Sequence, residues 1–165
     1  MKLSSQEEYG LRCLVRLAHQ AEGFGTIHEI ARAEALTPAY VAKLMAVLRR
    51  AGLVRASRGH NGGYSLARPA AAIDLSEVIV ALGGRLYSSE FCPAHAGVST
   101  ATGGPCAHDR NCSIRPVLVG LDRLVHDALG RISLRSLVRS EPAMQGFMNL
   151  RFAQAGDASP KKVTA

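Results

Sequence analysis

Tryptophan is absent from the 165 residues, and Phe and Tyr bring the aromatic content to only 5%. The core must therefore be built mostly from Leu, Val, Ile and Ala, and the apolar content of 47% excludes a wholly disordered chain. No apolar run approaches the roughly 18 residues that a membrane-spanning helix requires. The first apolar segment is interrupted by charges such as Glu8 and Arg12, unlike the core of a signal peptide. We therefore expect a cytoplasmic protein with no membrane partner.

Acidic residues are missing from positions 35 to 73, within a chain whose net charge is +7. The same segment carries Lys43, Arg49, Arg50, Arg55, Arg58 and Arg68. A basic stretch without acids inside a folded region indicates a polyanionic partner such as DNA. The alternative is a solvated basic face with no partner.

Helical spacing and capping residues predict three helices before position 52. The first covers 5–21, with Cys13 as a small buried residue on its apolar side. The second runs from its N-cap Thr26, with Glu29 completing a capping box, to about Ala33. The third begins at Thr37-Pro38, ends at Gly52, and buries a stripe formed by Val41, Leu44, Met45 and Leu48.

The second and third helices, joined by a tight turn, are typical of a helix-turn-helix. Two short strands follow, at 53–54 and 64–66, around a glycine-rich turn that predicts a β-hairpin. A basic hairpin after a recognition helix is a wing, whose tip can enter a minor groove. The expected DNA contacts are Tyr40, Lys43, Arg49, Arg50, Arg58, Gly59 and His60. Tyr40 is included although the tyrosines as a group are interpreted first as packing residues.

The next helix begins at Asp74, with Glu77 in a capping box, and runs to Gly83. Residues 85–114 are then irregular, and a loop of this length is usually functional or disordered. A further helix from Pro116 to Gly130 is too apolar for a lone surface helix and predicts a subunit contact. Ser133 then caps a short helix ending near Arg139, and the tail is expected to be disordered from about 153.

Three of the four cysteines lie in the irregular segment, as Cys92, Cys106 and Cys112, near His95 and His108. Thiolates are soft ligands that suit zinc or iron–sulfur clusters. The C-x13-C-x5-C spacing matches neither a zinc ribbon nor a bacterial ferredoxin. The spacing therefore leaves a metal or cluster site, redox thiols and no special role all open.

Three sequence motifs together resemble the IscR/NsrR/RirA-type (Rrf2) family of winged-helix transcriptional regulators. They are the opening 1–12, the wing sequence S-R-G-x-x-G-G-Y-x-L-A-R-P at 57–69, and D-L-S-E-V-I at 74–79. The resemblance covers roughly residues 1–140. It implies a homodimeric repressor with a long C-terminal dimerisation helix and an iron–sulfur cluster, [2Fe-2S] or [4Fe-4S], held by three cysteines. It also implies a response to redox stress, nitric oxide or iron status.

The chain departs from this family at two points. The first cysteine gap is longer than is usual in the family. The cluster-biogenesis regulator uses a histidine three residues after its last cysteine, where this chain has Arg115, which stays protonated and cannot ligate. The family's nitric-oxide sensor uses an acidic ligand that this chain resembles at Glu8, so Glu8 is the predicted fourth ligand. His95 and His108 are the alternative ligands. The ordinary interpretation of Glu8 is a solvated glutamate at the start of a helix.

The sequence thus predicts a mostly α protein with a small β-wing, a winged helix-turn-helix followed by a long dimerisation helix. We divide it into the DNA-binding domain 1–83, the cysteine-containing sensor loop 84–114, the dimerisation helix with a short final helix at 115–140, and the tail 141–165. The expected partners are double-stranded DNA with a palindromic operator and a second copy of the chain. A zinc or thiol-redox sensor on the same DNA reader is the alternative, and a cysteine-dependent enzyme is rejected because no substrate-pocket signature accompanies the thiols.

Overall fold

The computed structural model describes residues 3–20, 24–57, 59, 62–85, 87 and 112–152. Within them lie six α-helices, three strands and two short 3₁₀ turns. The helices are α1 Ser5–His19, α2 Ile27–Glu34, α3 Pro38–Arg50, α4 Leu75–Ala81, α5 Ile114–Gly130 and α6 Glu141–Phe152. The strands are β1 Phe24–Gly25, β2 Val54–Ser57 and β3 Gly63–Leu66, and the 3₁₀ turns are Ala70–Ala72 and Leu134–Leu137. The expectation of a mostly helical fold with a small β-wing is confirmed.

Capping boxes begin the helices where the sequence predicts them. The Thr26 hydroxyl accepts a hydrogen bond from the Glu29 amide, and the Glu29 carboxylate accepts one from the Thr26 amide at 2.8 Å. This backbone hydrogen bond stabilises the carboxylate and lowers the pKa of Glu29. Asp74 forms the same arrangement at the start of α4, and Ser4 forms a third box at α1 that the sequence analysis does not include.

The core lies where the three N-terminal helices meet. The predicted stripe of α3 is confirmed, because Val41, Leu44, Met45 and Leu48 are all fully buried. Leu14 and Leu17 of α1 face it together with Ile30 of α2. Cys13 is also buried, as predicted, and burial raises the pKa of its thiol to about 12.

The wing is a three-stranded antiparallel sheet in the order β1-β3-β2. Strands β2 and β3 pair from Val54↔Leu66 to Ser57↔Gly63, which confirms the predicted hairpin. Strand β1 was not predicted: the sequence analysis places no strand between the first and second helices, but Gly25 pairs with Tyr64. Because a Cβ added at Gly63 would lie 2.8 Å from the Gly25 carbonyl oxygen, glycine is required where these strands meet.

Helix α5 packs along α4 and leaves an apolar stripe exposed. It begins at Ile114, two residues before the predicted start at Pro116, and ends at Gly130 as expected. Its exposed large apolar side chains are Ile114, Val117, Leu121 and Leu124, of which Leu124 is 67% exposed. Their spacing of three and four residues places them in one row.

A β-bridge between Asp74 and Ser133 joins the start of α4 to the chain just after α5. On either side of it, the Leu75 amide donates to the Ile132 carbonyl at 2.9 Å, and the Leu134 amide donates to the Ile73 carbonyl at 2.7 Å. These bonds fix the C-terminal end of α5 to the start of α4.

The C-terminal region differs from the prediction in two respects. Ser133 precedes a 3₁₀ turn at Leu134–Leu137 rather than an α-helix ending near Arg139. Helix α6 occupies positions 141–152, which were assigned to the tail. None of the described helices is long and apolar enough to cross a membrane.

Candidate nucleic-acid interface and sensor segment

A tight turn of three residues connects α2 to α3. Ala35 adopts a left-handed conformation with φ of 54°, which costs a residue with a Cβ about 1 kcal/mol. The Leu36 amide donates to the Ala31 carbonyl at 2.9 Å, and Thr37 then caps α3 through the Tyr40 amide. The turn therefore begins α3 directly after α2, which is the arrangement of a helix-turn-helix.

The side of α3 opposite the core carries small and basic side chains. Ala39, Lys43 and Arg50 are exposed, and Ala46 between them is half-buried. The spacing of four, three and four residues makes these side chains one continuous stripe. Ala42 flanks this stripe on the side of the wing.

An open cleft of about 660 Å³ lies between α3, the start of α2 and the wing. Its lining includes Thr26 and His28 from α2, Pro38 and Ala42 from α3, and Ala56 and Gly62 from the wing. The sequence analysis missed the α2 contribution, because it assigned the interface only to the third helix and the hairpin. Where α3 faces the wing the lining is small, at Ala42, Ala56 and Gly62, so a partner backbone can approach closely there.

Four cations of α3 and β2 are exposed and form no ion pair within the described residues. They are Lys43, Arg49, Arg50 and Arg55. Arg68 differs: its guanidinium binds the Glu77 carboxylate at 2.5 Å and donates to the Ala72 carbonyl at 3.0 Å. Arg68 therefore fixes the end of the wing to the start of α4, and its charge is largely neutralised.

The remaining predicted DNA contacts have different surroundings. Tyr40 is half-buried, and its ring packs edge-to-face on Tyr9 with 6.0 Å between centroids. Gly59 is exposed at the wing tip with φ of 120°, a conformation that favours glycine. Arg58 and His60 lie outside the described residues, so their roles remain predictions.

Of the predicted cluster ligands, the structure describes Cys112 and Glu8. Cys112 is a free, half-buried thiol two residues before α5. Glu8 lies on the exposed side of α1, where its carboxylate is 3.6 Å from the Arg12 guanidinium. Cys92, Cys106, His95 and His108 lie outside the described residues, and the described residues alone contain no group of three metal-ligating side chains.

The predicted sensor loop 84–114 is called the cysteine segment below. It begins beside a cavity of about 290 Å³ that lies between α1, α4 and α5. The Tyr87 amide donates to the Asp122 carboxylate at 3.3 Å, which attaches the beginning of the segment to α5. Glu7 lies on the same cavity and accepts a hydrogen bond from the Ser4 amide at 2.7 Å. The Ser4-x-x-Glu7 spacing was a signal for this buried carboxylate, whereas nothing local in the sequence marks Asp122.

Comparison with known proteins agrees with this geometry. The family profile of Rrf2, described as an iron-dependent transcriptional regulator, matches residues 3–140. The HTH-type transcriptional regulator IscR of Cereibacter sphaeroides is 33% identical over 144 residues, covering 86% of this chain and 89% of that protein.

Two solved structures have the same fold. The IscR of T. potens has a TM-score of 0.60 and 28% identity, covering 87% of this chain and 90% of its own. The global cysteine regulator CymR of B. subtilis has a TM-score of 0.61 and 27% identity, covering 84% and 96%. The match confirms a winged-helix regulator and the expectation that the chain is not an enzyme. The chain belongs to the Rrf2 family of transcriptional regulators.

Proposed function

We propose that this regulator is a homodimeric repressor that binds a palindromic DNA duplex and whose affinity is controlled by an iron–sulfur cluster. The observation that supports DNA binding best is the group of exposed cations on α3 and β2 that form no ion pair within the described part of the chain. This group lies in an acid-free stretch of 39 positions from 35 to 73. Phosphates are the counter-charge that such a surface attracts. Helix α3 then occupies the major groove and the wing contacts the adjacent backbone.

A second copy of the chain covers the apolar stripe of α5. Leu121 and Leu124 are exposed in the single chain, and a row of large apolar side chains in water is typical of a protein interface. Burying each side chain is worth about 1.5–3 kcal/mol. A two-fold axis along α5 gives two recognition helices, which bind half-sites about 34 Å apart, one turn of DNA.

The donor set has the chemistry that an iron–sulfur cluster requires. Cys92, Cys106 and Cys112 supply three thiolates, and Glu8 supplies a carboxylate that is 55% exposed and contacts Arg12 only loosely. When bound, the cluster supplies an iron with a weak oxygen ligand, which is the position most open to nitric oxide or oxidants. Similarity to CymR, a global cysteine regulator, supports the alternative of a zinc or thiol-redox sensor on the same DNA reader.

The two ends of α5 connect to different parts of the protein. The C-terminal end is held to α4 by the bridge between Asp74 and Ser133, whereas the N-terminal end follows the cysteine segment directly. A change in the cysteine segment therefore acts on the N-terminal end of α5, while the C-terminal end stays attached to the DNA-binding domain. This arrangement favours a change in the spacing of the two recognition helices as the output.

DNA binding is tested by fluorescence anisotropy with the duplex upstream of the protein's own gene and a shuffled duplex of equal length. We expect preference for the upstream duplex and an affinity that falls steeply with salt. Arg58→Ala is expected to reduce both the affinity and the salt dependence. Equal indifference to both duplexes at low and high ionic strength, in every metal and redox form, would refute the proposal.

The sensor is tested by anaerobic reconstitution with iron and sulfide, followed by visible absorbance and iron and sulfide counts. We expect a coloured protein whose cluster is lost in Cys112→Ser but retained in Cys13→Ser, because Cys13 is buried in the core. A colourless, iron-free product after reconstitution would contradict the cluster, and zinc content or reversible thiol oxidation would then support the alternative.

A further inference from the structure

The outward stripe of α3 has little capacity for hydrogen bonding to base edges. Along α3, which the structure describes in full, the residues that point away from the core are Ala39, Ala42, Lys43 and Ala46, followed by Arg49 and Arg50 in the last turn. Lys43 is the one hydrogen-bonding side chain of this set before the last turn of the helix. At the helix start, the Thr37 hydroxyl caps the Tyr40 amide at 3.3 Å.

Direct readout of a base sequence normally uses Arg, Asn, Gln or Glu side chains in the major groove. Three alanines replace such side chains here. The one apolar group that a base presents in that groove is the 5-methyl group of thymine, and alanine is among the side chains that contact it. Because a methyl side chain is short, this contact also requires the helix to lie close to the bases.

The cleft beside α3 allows that close approach. Where α3 faces the wing, the small residues Ala42, Ala56 and Gly62 line it, and the larger lining residues are Ile27 and His28 of α2 and Tyr64 of β3. We propose that this regulator recognises its operator largely through apolar contact of Ala39, Ala42 and Ala46 with thymine methyl groups. Lys43 then contributes the hydrogen bonding. This inference rests on the proposed function, since it assumes that α3 enters the major groove.

The experiment uses a duplex selected from a random library with the full-length protein. Each thymine of the selected duplex is replaced in turn by deoxyuridine, which removes only the methyl group. Since burial of one methyl group changes an equilibrium by about fourfold, we expect about fourfold weaker binding at two or more positions of each half-site.

Variants of the protein assign the contact. In Ala42→Gly, the ratio of thymine to deoxyuridine affinity is expected to fall to about one at the affected position. Ala33→Gly is the matched control, because it places the same substitution at an exposed site of α2 outside the cleft, and it should retain the ratio. If Ala42→Gly does not fold, Ala39→Gly, at an exposed position in the first turn of α3, is measured in the same way.

The outcomes separate the inference from the proposed function. Salt-dependent binding that is indifferent to deoxyuridine at every position overturns the inference and leaves the proposed function standing. A ratio that persists unchanged in Ala42→Gly and Ala39→Gly overturns the assignment to these alanines. Failure to retain any duplex at low salt overturns the proposed function itself.

Discussion

Arg50 and Arg68 belong to the same acid-free stretch, yet the structure predicts opposite consequences when each is changed to alanine. Arg50 is exposed at the end of α3 and forms no ion pair within the described residues. Arg68 binds the carboxylate of Glu77 and the carbonyl of Ala72. We expect Arg50→Ala to change DNA binding with little effect on stability, and Arg68→Ala to change stability with little effect on the salt dependence of binding.

The magnitudes follow from counterion release. In the proposed homodimer, Arg50→Ala removes two phosphate contacts, which is expected to reduce the slope of log K against log salt by about 1.8. Between about 50 and 200 mM salt, the wild-type affinity should then fall about twelvefold more than that of the variant. Arg68→Ala removes a partly exposed ion pair and is expected to cost about 0.5–1 kcal/mol of unfolding free energy.

Anisotropy titrations at four or more salt concentrations give the slopes, and urea denaturation followed by circular dichroism gives the stabilities. The two variants are each other's controls because they remove the same side chain from the same segment. Equal slopes for Arg50→Ala and the wild type would refute the assignment of α3 cations to phosphates. A slope reduced as much by Arg68→Ala would refute the argument that its charge is already neutralised.

Three further outcomes are expected. Gly63→Ala should destabilise the protein by about 1–3 kcal/mol in urea denaturation, because the new methyl group meets strand β1. The control Gly146→Ala, in open space on α6, should be neutral or stabilising. Equal effects of the two substitutions would contradict this packing. Burial raises the pKa of Cys13 to about 12, so the stability that the protonated thiol contributes is complete below pH 9 and is lost as the pH rises. By pH 10 the wild type should lose about 1.4 kcal/mol more of its unfolding free energy than Cys13→Ala. Parallel pH profiles for the two proteins would be inconsistent with that burial. Leu124→Glu should give monomers in analytical ultracentrifugation, while Arg123→Glu, on another side of α5, should remain dimeric; a dimeric Leu124→Glu would place the interface elsewhere.

The local elements of the fold were predictable because their determinants are close in sequence. Thr26 with Glu29 and Asp74 with Glu77 each satisfy exposed amides at a helix start, and three residues suffice to recognise them. The buried stripe of α3 was equally accessible, since its period is a property of the helix alone.

Strand β1 was not predictable on the same grounds. Phe24 and Gly25 form a strand only because β3, about 40 residues later, offers its free edge at Ser65 and Tyr64. A two-residue segment carries no period of its own. The partner of Arg68 was hidden for a related reason: Glu77 is nine residues away and outside the basic stretch, so composition alone counts Arg68 as a free cation.

Helix α6 was missed although signals for it were present. Glu141 and Pro142 suit a first helical turn, and Arg139 and Arg151 both stack on the Phe147 ring, at 4.8 and 5.4 Å. The segment was assigned to the tail because its apolar residues form no buried stripe; none of its residues is buried in the single chain. A helix that packs no face against the core cannot be predicted from a hydrophobic period in its sequence.

Polar groups attach the two ends of α5 to different parts of the chain. The Asp122 carboxylate of α5 accepts a hydrogen bond from the Tyr87 amide. After α5, Ser133 pairs with Asp74 at the start of α4. Asp74 also caps α4, and although partial burial raises its pKa, hydrogen bonds from Ser76 and Glu77 together lower it. Helix α5 is therefore held by its C-terminal end to the domain that carries the recognition helix. The other end of α5 follows Cys112, so under the proposed function a rearrangement of the sensor loop reaches the start of α4 through the orientation of this one helix.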